Sequence, residues 1–141
     1  MNVSKKTVTG DGTNNSATGN RISVLVVDDD PIIRTIHKAL LRRSGMEVEV
    51  AADGQQAVNL HRMGASYNLV FMDMEMPVMD GPQATRELRE MGVESMIVGV
   101  TSRDLDSDIQ AFMAAGLNYC FVKPLTIEKV IPLIEELTGN I

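Results

Sequence analysis

The sequence predicts an α/β fold: three layers in a (βα)5 arrangement, with a doubly wound parallel sheet ordered 2-1-3-4-5. Two observations carry this expectation. From Ile22 onward, five short β-branched or apolar runs alternate with five amphipathic stretches, a switching between periods of 2 and 3.6 that marks βα units. Three of the runs are almost wholly apolar, as central parallel strands covered on both faces must be. The second run instead alternates Glu47 and Glu49 with Met46, Val48 and Val50, which suits an edge. Right-handed crossovers among five parallel strands then lead to the doubly wound order.

The elements follow in turn. Residues 1–20 are dominated by Asn, Thr, Gly and Ser and predict a disordered N-terminal tail, leaving 21–141 as the single domain. Strands are expected at 22–27, 46–51, 68–72, 95–100 and 118–122. The first helix opens at Asp30-Pro31, a cap followed by proline at the first helical position, and closes at Ser44-Gly45. Its apolar face is read as Ile32, Ile33, Ile36, Ala39 and Leu40. Asp53-Gly54, Asp80-Gly81-Pro82, Asp104 and Thr126 lead into the other four helices.

Composition excludes several functions. The chain has 141 residues, 44% of them hydrophobic, enough for one substantial core. A net charge of -6 argues against a nucleic-acid-binding surface. No apolar run approaches a membrane span, and Cys120, the single cysteine, excludes an intrachain disulfide. The expected location is the cytoplasm, with the nucleus as a second compartment.

In a sheet of this kind ligands bind beyond the carboxyl ends of the strands. Those ends carry Asp28-Asp29-Asp30, Asp73, Thr101-Ser102 and Lys123-Pro124. Each alone is ordinary: an Asp run before proline caps a helix, and Thr-Ser makes a turn. Their joint placement points to chemistry. Several carboxylates crowded together repel unless a cation neutralises them. With oxygen donors and neither imidazole nor thiolate nearby, Mg2+ suits the set, and its preference for phosphoryl oxygens implies a phosphorylated group. Lys123 would supply a compact positive charge and Thr101 a hydroxyl donor to that group. Asp73 is then the nucleophile, since a carboxylate needs no deprotonation at neutral pH. The product would be a labile acyl phosphate.

Across residues 22–137 the sequence resembles the receiver domain of two-component response regulators, a flavodoxin-like fold. "VLVVDDDPIIR", "FMDMEMPVMDG", "VTS" and "FVKP" look like that family's four motifs. The resemblance implies that Asp28 and Asp29 form the acidic pair, with Asp29 on Mg2+ directly and Asp28 through water. It implies Asp73 as phosphoacceptor, also on the metal, and Glu75 as a ligand through its backbone carbonyl. Thr101 would bond a phosphoryl oxygen and Lys123 pair with it, joined to Pro124 by a cis peptide bond; Asp30 matches a helix cap. The absence of an output domain, with "MIVGVTS", "AFMAAGLNYC" and "KPLTIEKVIPLI", looks like plant type-C, stand-alone regulators. That resemblance implies a cytokinin-type His-to-Asp phosphorelay, with a histidine phosphotransfer protein or histidine kinase as partner and a monomeric receiver that catalyses its own phosphorylation and dephosphorylation without being classed as an enzyme.

One departure stands out. Three residues before the lysine, receivers that switch carry Tyr or Phe, and this chain has Cys120. A small residue there weakens the contacts that bias two conformations, which favours a phosphate sink. Two other readings compete: a pseudo-receiver that binds partners without phosphorylation, and an Asp-nucleophile phosphatase of the haloacid-dehalogenase type. The first predicts loss of an acidic residue or the lysine, and none is lost; the second needs Asp-x-Asp, where this chain has Asp73 and Glu75. His37 and His61 are expected to be surface or boundary residues. Arg34, Lys38, Arg42 and Arg43 on the first helix suggest a docking face for an acidic partner.

Overall fold

The computed structural model describes residues 21–139; the tail expected over 1–20 lies outside the described residues. The elements are β1 (Ser23–Val27), α1 (Pro31–Arg43), β2 (Glu47–Ala51), α2 (Gly54–Arg62), β3 (Leu69–Asp73), α3 (Gly81–Glu90), β4 (Met96–Thr101), α4 (Asp106–Ala114), β5 (Tyr119–Val122) and α5 (Ile127–Thr138). All strand pairs are parallel, in the order β2-β1-β3-β4-β5. Every strand falls within a residue of its expected bounds.

Alternation along the strands feeds two cores. On one face Leu25, Val27, Val70, Met72 and Ile97 pack against Val58 of α2, Leu88 of α3 and Phe112 of α4. On the other, Val24, Val26, Phe71 and Val98 meet Leu41 of α1 and Val130 and Leu133 of α5. β3 and β4 are buried at every position. β2 exposes Glu47, Glu49 and Val50, so the charged alternation does mark an edge.

Helix α1 starts as expected. Asp30 accepts from the backbone N–H of Ile32 at 2.9 Å, and Pro31 occupies the first position. The packed face differs from the expected one. Ile32 and Ile36 are 68% and 54% exposed, and the buried residues are His37 and Leu41; of the expected stripe, Ile33 and Leu40 are half-buried and Ala39 is exposed. The cause is that apolar residues cover more of this helix than one core-facing stripe requires, so periodicity alone could not choose between the two halves. His37, expected at the surface or boundary, is therefore a core residue, whereas His61 is half-buried.

One other start also differs. The cap residue of α4 is Leu105, without a side-chain bond, and Asp104 precedes it. Asp106 and Asp108 in the first turn complement the helix dipole instead. Thr126 occupies the cap position of α5 but makes no capping bond. Between β3 and α3 the chain turns tightly: Met79 N–H donates to Pro77 C=O at 2.7 Å and Val78 has φ 71°, a strained conformation for a β-branched residue. Gly81 follows because its Cα lies against the strand end, where a β-carbon would overlap the carbonyl oxygen of Asp73.

Candidate functional site

The sheet brings four sequence elements to one edge. Asp28 follows the last residue of β1, Asp73 ends β3, Thr101 ends β4, and Lys123 follows β5. The registers Val27↔Met72, Asp73↔Val100 and Thr101↔Val122 bring these ends level. Asp28, Asp73 and Thr101 are buried, whereas Asp29 is exposed.

Asp28, Asp29 and Asp73 each direct a carboxylate oxygen into the same space, all within 4.8 Å of one another. Lys123 Nζ stands 3.1 Å from Asp28 Oδ2 and 3.1 Å from Asp73 Oδ1. Burial first, and then the charge of Asp28, push the Asp73 carboxyl up to about 6, with Lys123 opposing. On the Lys123 amine burial acts downward and is the largest influence, but the two carboxylates together lift it above its usual value. Three carboxylates against one ammonium leave two negative charges when all are ionised, which a divalent cation would balance. An oxygen-only donor set of this kind fits Mg2+.

Thr101 Oγ1 accepts the N–H of Arg103 at 2.9 Å and lies 3.7 Å from Met74 Sδ, to which its hydroxyl donates. Its hydroxyl thus sits at the edge of the site, held by weak or local partners. Glu75 turns its side chain to solvent and pairs with Arg103, whose Nη2 is 2.5 Å from Glu75 Oε2; Arg103 Nη1 also reaches Asp108 of α4 at 3.4 Å. The Lys123-Pro124 peptide bond is cis. Cys120 is half-buried and packs against the core that holds Met72 and Phe112, and burial pushes its thiol up.

Two features were not expected from the sequence. His37 is buried and feels the charges of the site, its pKa lowered by burial while Asp28 acts in the opposite direction. Arg34 Nη1 donates to the backbone carbonyl of Asp28 at 2.8 Å. A signal for the first existed in the four-residue spacing of Ile33, His37 and Leu41; nothing in the sequence signals the second, which joins a side chain to a backbone atom.

A family model described as response regulator receiver domain matches residues 24–135. Two-component response regulator ARR22 from Arabidopsis thaliana is 52% identical over 118 residues, 82% of this chain and 83% of that protein. Among solved structures, the receiver domain of sensor histidine kinase PA1611 from Pseudomonas aeruginosa, with magnesium coordinated in its active-site cleft, is 32% identical at a TM-score of 0.74, covering 84% of this chain and 98% of that one. A co-crystal of the Saccharomyces cerevisiae histidine phosphotransfer protein Ypd1 with the receiver domain of Ssk1 supplies another similar chain, 27% identical at a TM-score of 0.75 and covering 83% and 88% of the two chains.

Proposed function

This chain belongs to the response regulator receiver family, and on that basis we propose that it accepts a phosphoryl group on Asp73 from the phosphohistidine of a histidine phosphotransfer protein, with Mg2+, in a plant phosphorelay of the cytokinin type. The observation that carries the proposal is the convergence of Asp28, Asp29, Asp73 and Lys123 at the ends of three strands and within a few ångströms.

Asp28, Asp29, Asp73 and the backbone carbonyl of Glu75 would hold the cation, which supplies charge neutralisation to the carboxylates and the incoming phosphoryl oxygens. An Asp73 oxygen forms the new O–P bond as the N–P bond of the phosphohistidine breaks. The electron pair returns to the ring nitrogen, and the imidazole leaves neutral when its other nitrogen carries the proton. Lys123 already lies between Asp28 and Asp73, so its ammonium is positioned to pair with a phosphoryl oxygen without a large movement. The Thr101 hydroxyl gives up only a contact to sulfur in order to donate to another of those oxygens. Catalysis of this kind rests on positioning and charge rather than on acid-base chemistry.

Helix α1 supplies a reason for choosing this donor. With Arg34 bonded to the Asp28 carbonyl, its Lys38, Arg42 and Arg43 have no carboxylate within 4 Å among the described residues, and Ile32 and Ile36 stand exposed beside them. A basic, partly apolar helix next to the acceptor suits an acidic helical partner, and in the Ypd1 co-crystal a receiver domain meets a histidine phosphotransfer protein. The Glu75–Arg103 pair spans the loops flanking Asp73, which supports a covered approach for water and a long-lived acyl phosphate. With Cys120 at the position of the aromatic switch residue, a phosphate sink is the favoured output.

Incubation with a labelled histidine phosphotransfer protein, with and without Mg2+, tests the proposal. Label is expected on the parent only with metal and not on Asp73→Asn. Absence of label on the parent, or undiminished label on a folded Asp73→Asn protein, would overturn it.

A further inference from the structure

We propose that Arg34 is a positioning residue that sets the cation affinity of the acidic loop by clamping the backbone of Asp28. The inference rests on the metal-site reading above and adds a residue to it.

Asp28 lies one residue beyond β1, where the ladder no longer satisfies its carbonyl. Its N–H still reaches Ala51 C=O at 3.2 Å. Its Oδ1 accepts from the N–H of Asp30 at 2.9 Å, and its Oδ2 lies 3.1 Å from Lys123. The remaining acceptor, the backbone carbonyl, takes the Arg34 bond at 2.8 Å. Arg34 can deliver it because its own N–H bonds Asp30 C=O at 2.9 Å as α1 begins, which fixes the stem on the first turn of the helix above the loop. The guanidinium thereby fixes the peptide plane between Asp28 and Asp29, and that plane determines the direction in which the Asp29 side chain leaves the backbone. Partners of ligands, as distinct from ligands, commonly set metal affinity in this manner.

Charge alone makes the opposite prediction. A cation beside three carboxylates repels Mg2+, so deleting it should tighten binding. Two variants separate the effects. Arg34→Lys keeps the charge and loses the planar donor geometry; Arg34→Gln loses the charge. Under the clamp, calorimetry shows Mg2+ affinity falling by roughly 10-fold in both, the lower end of the range for such partners. Phosphorylation by phosphoramidate, a small donor that needs no docking on α1, then requires more Mg2+ but reaches the parent's rate at saturation. That split between affinity and maximal rate is not the signature of a merely unstable protein, and circular dichroism in chelator checks the fold of each variant.

Unchanged affinity in Arg34→Lys with tighter binding in Arg34→Gln would show that only charge matters and overturn the clamp. A maximal rate that stays low at saturating Mg2+ in both folded variants would overturn it as well. A parent protein that binds no Mg2+ would instead refute the metal-site reading itself.

Discussion

Replacing Asp73 by Asn tests the electrostatics of the site through folding stability, independently of any phosphodonor. The carboxyl is held at about 6 against an ordinary 3.8, by burial and then by Asp28. Its folded-state pKa lies above the unfolded one, so between these values the native state retains a proton that the unfolded chain has released. Stability is therefore full below about pH 4, falls as pH rises towards 6, and stays low above it. At about 1.4 kcal/mol per pH unit the loss is about 3 kcal/mol. Asparagine carries no such penalty. It does remove one of the two carboxylates on Lys123, although Asp28 remains at 3.1 Å, so a net gain of ~1–2 kcal/mol at pH 7.5 without divalent metal is expected. For a domain of this size that is a rise of roughly 4–8 °C in melting temperature. The gap should close as pH falls to 4, where Asp73 is protonated and resembles Asn, and Mg2+ should raise the parent's midpoint more than the variant's. An Asp73→Asn protein that melts below the parent at pH 7.5 in chelator, or a gap that does not change between pH 4 and 7.5, would refute the account of a strained acidic pocket.

Three further perturbations address the loops around the site. Val78→Gly should raise the melting temperature by a few degrees, because Val78 is 79% exposed and its φ of 71° costs ~1–3 kcal/mol while the glycine returns less than 1 kcal/mol of that to the unfolded chain; a lower midpoint would show that the turn is not strained. Glu75→Ala and Arg103→Ala should each shorten the acyl-phosphate lifetime, by a few-fold at most since the pair is exposed and screened by solvent, and unchanged decay in both would remove the pair from the water path. Cys120→Tyr should enlarge the change in amide spectra on adding a phosphoryl analogue while leaving phosphotransfer nearly unaltered, at a cost of ~1–3 kcal/mol from crowding the core it packs against; identical spectra with and without the analogue would contradict it.

The parts of this structure that the sequence made legible are those written in local pattern. The apolar runs of β1, β3 and β4, the glutamates of β2 and the Asp30-Pro31 start of α1 are single-element signals, and each survives in three dimensions. The site was legible for a related reason: in a parallel sheet the residue ending one strand must lie near those ending its neighbours, so Asp28, Asp73, Thr101 and Lys123 could be gathered without coordinates. The rotation of α1 was not legible, because Ile32, Ile33, Ile36, Leu40 and Leu41 cover more of the helix than one face, and only packing decides that His37 points inward. Nor was the start of α4, where Asp104 had the chemistry of a cap but the backbone turns one residue later. Arg34 and the Thr101–Met74 contact depend on where a backbone carbonyl or a flexible thioether comes to rest, and sequence periodicity carries no information on either.

The placement of Thr101 bears on what phosphorylation can accomplish in this chain. To reach a phosphoryl oxygen on Asp73 its hydroxyl exchanges a contact to Met74 for a bond to a charged oxygen, while its own oxygen still accepts from Arg103 N–H, a gain of about 1.5–3 kcal/mol. Towards α4 stands the exposed Arg103–Asp108 pair, which solvent screens, and α4 itself buries only Phe112 and lacks a side-chain cap. Driving a two-state element from 1:99 to 99:1 takes about 5.5 kcal/mol of differential interaction. The Thr101 bond falls well short of that, and Cys120 does not supply the ring whose burial and exposure would make up the difference. Phosphorylation should therefore move this domain's populations by at most about 100-fold, short of the roughly 10⁴-fold that a full switch requires, and leave its surface largely as it was, the behaviour expected of a receiver that passes little structural signal onward.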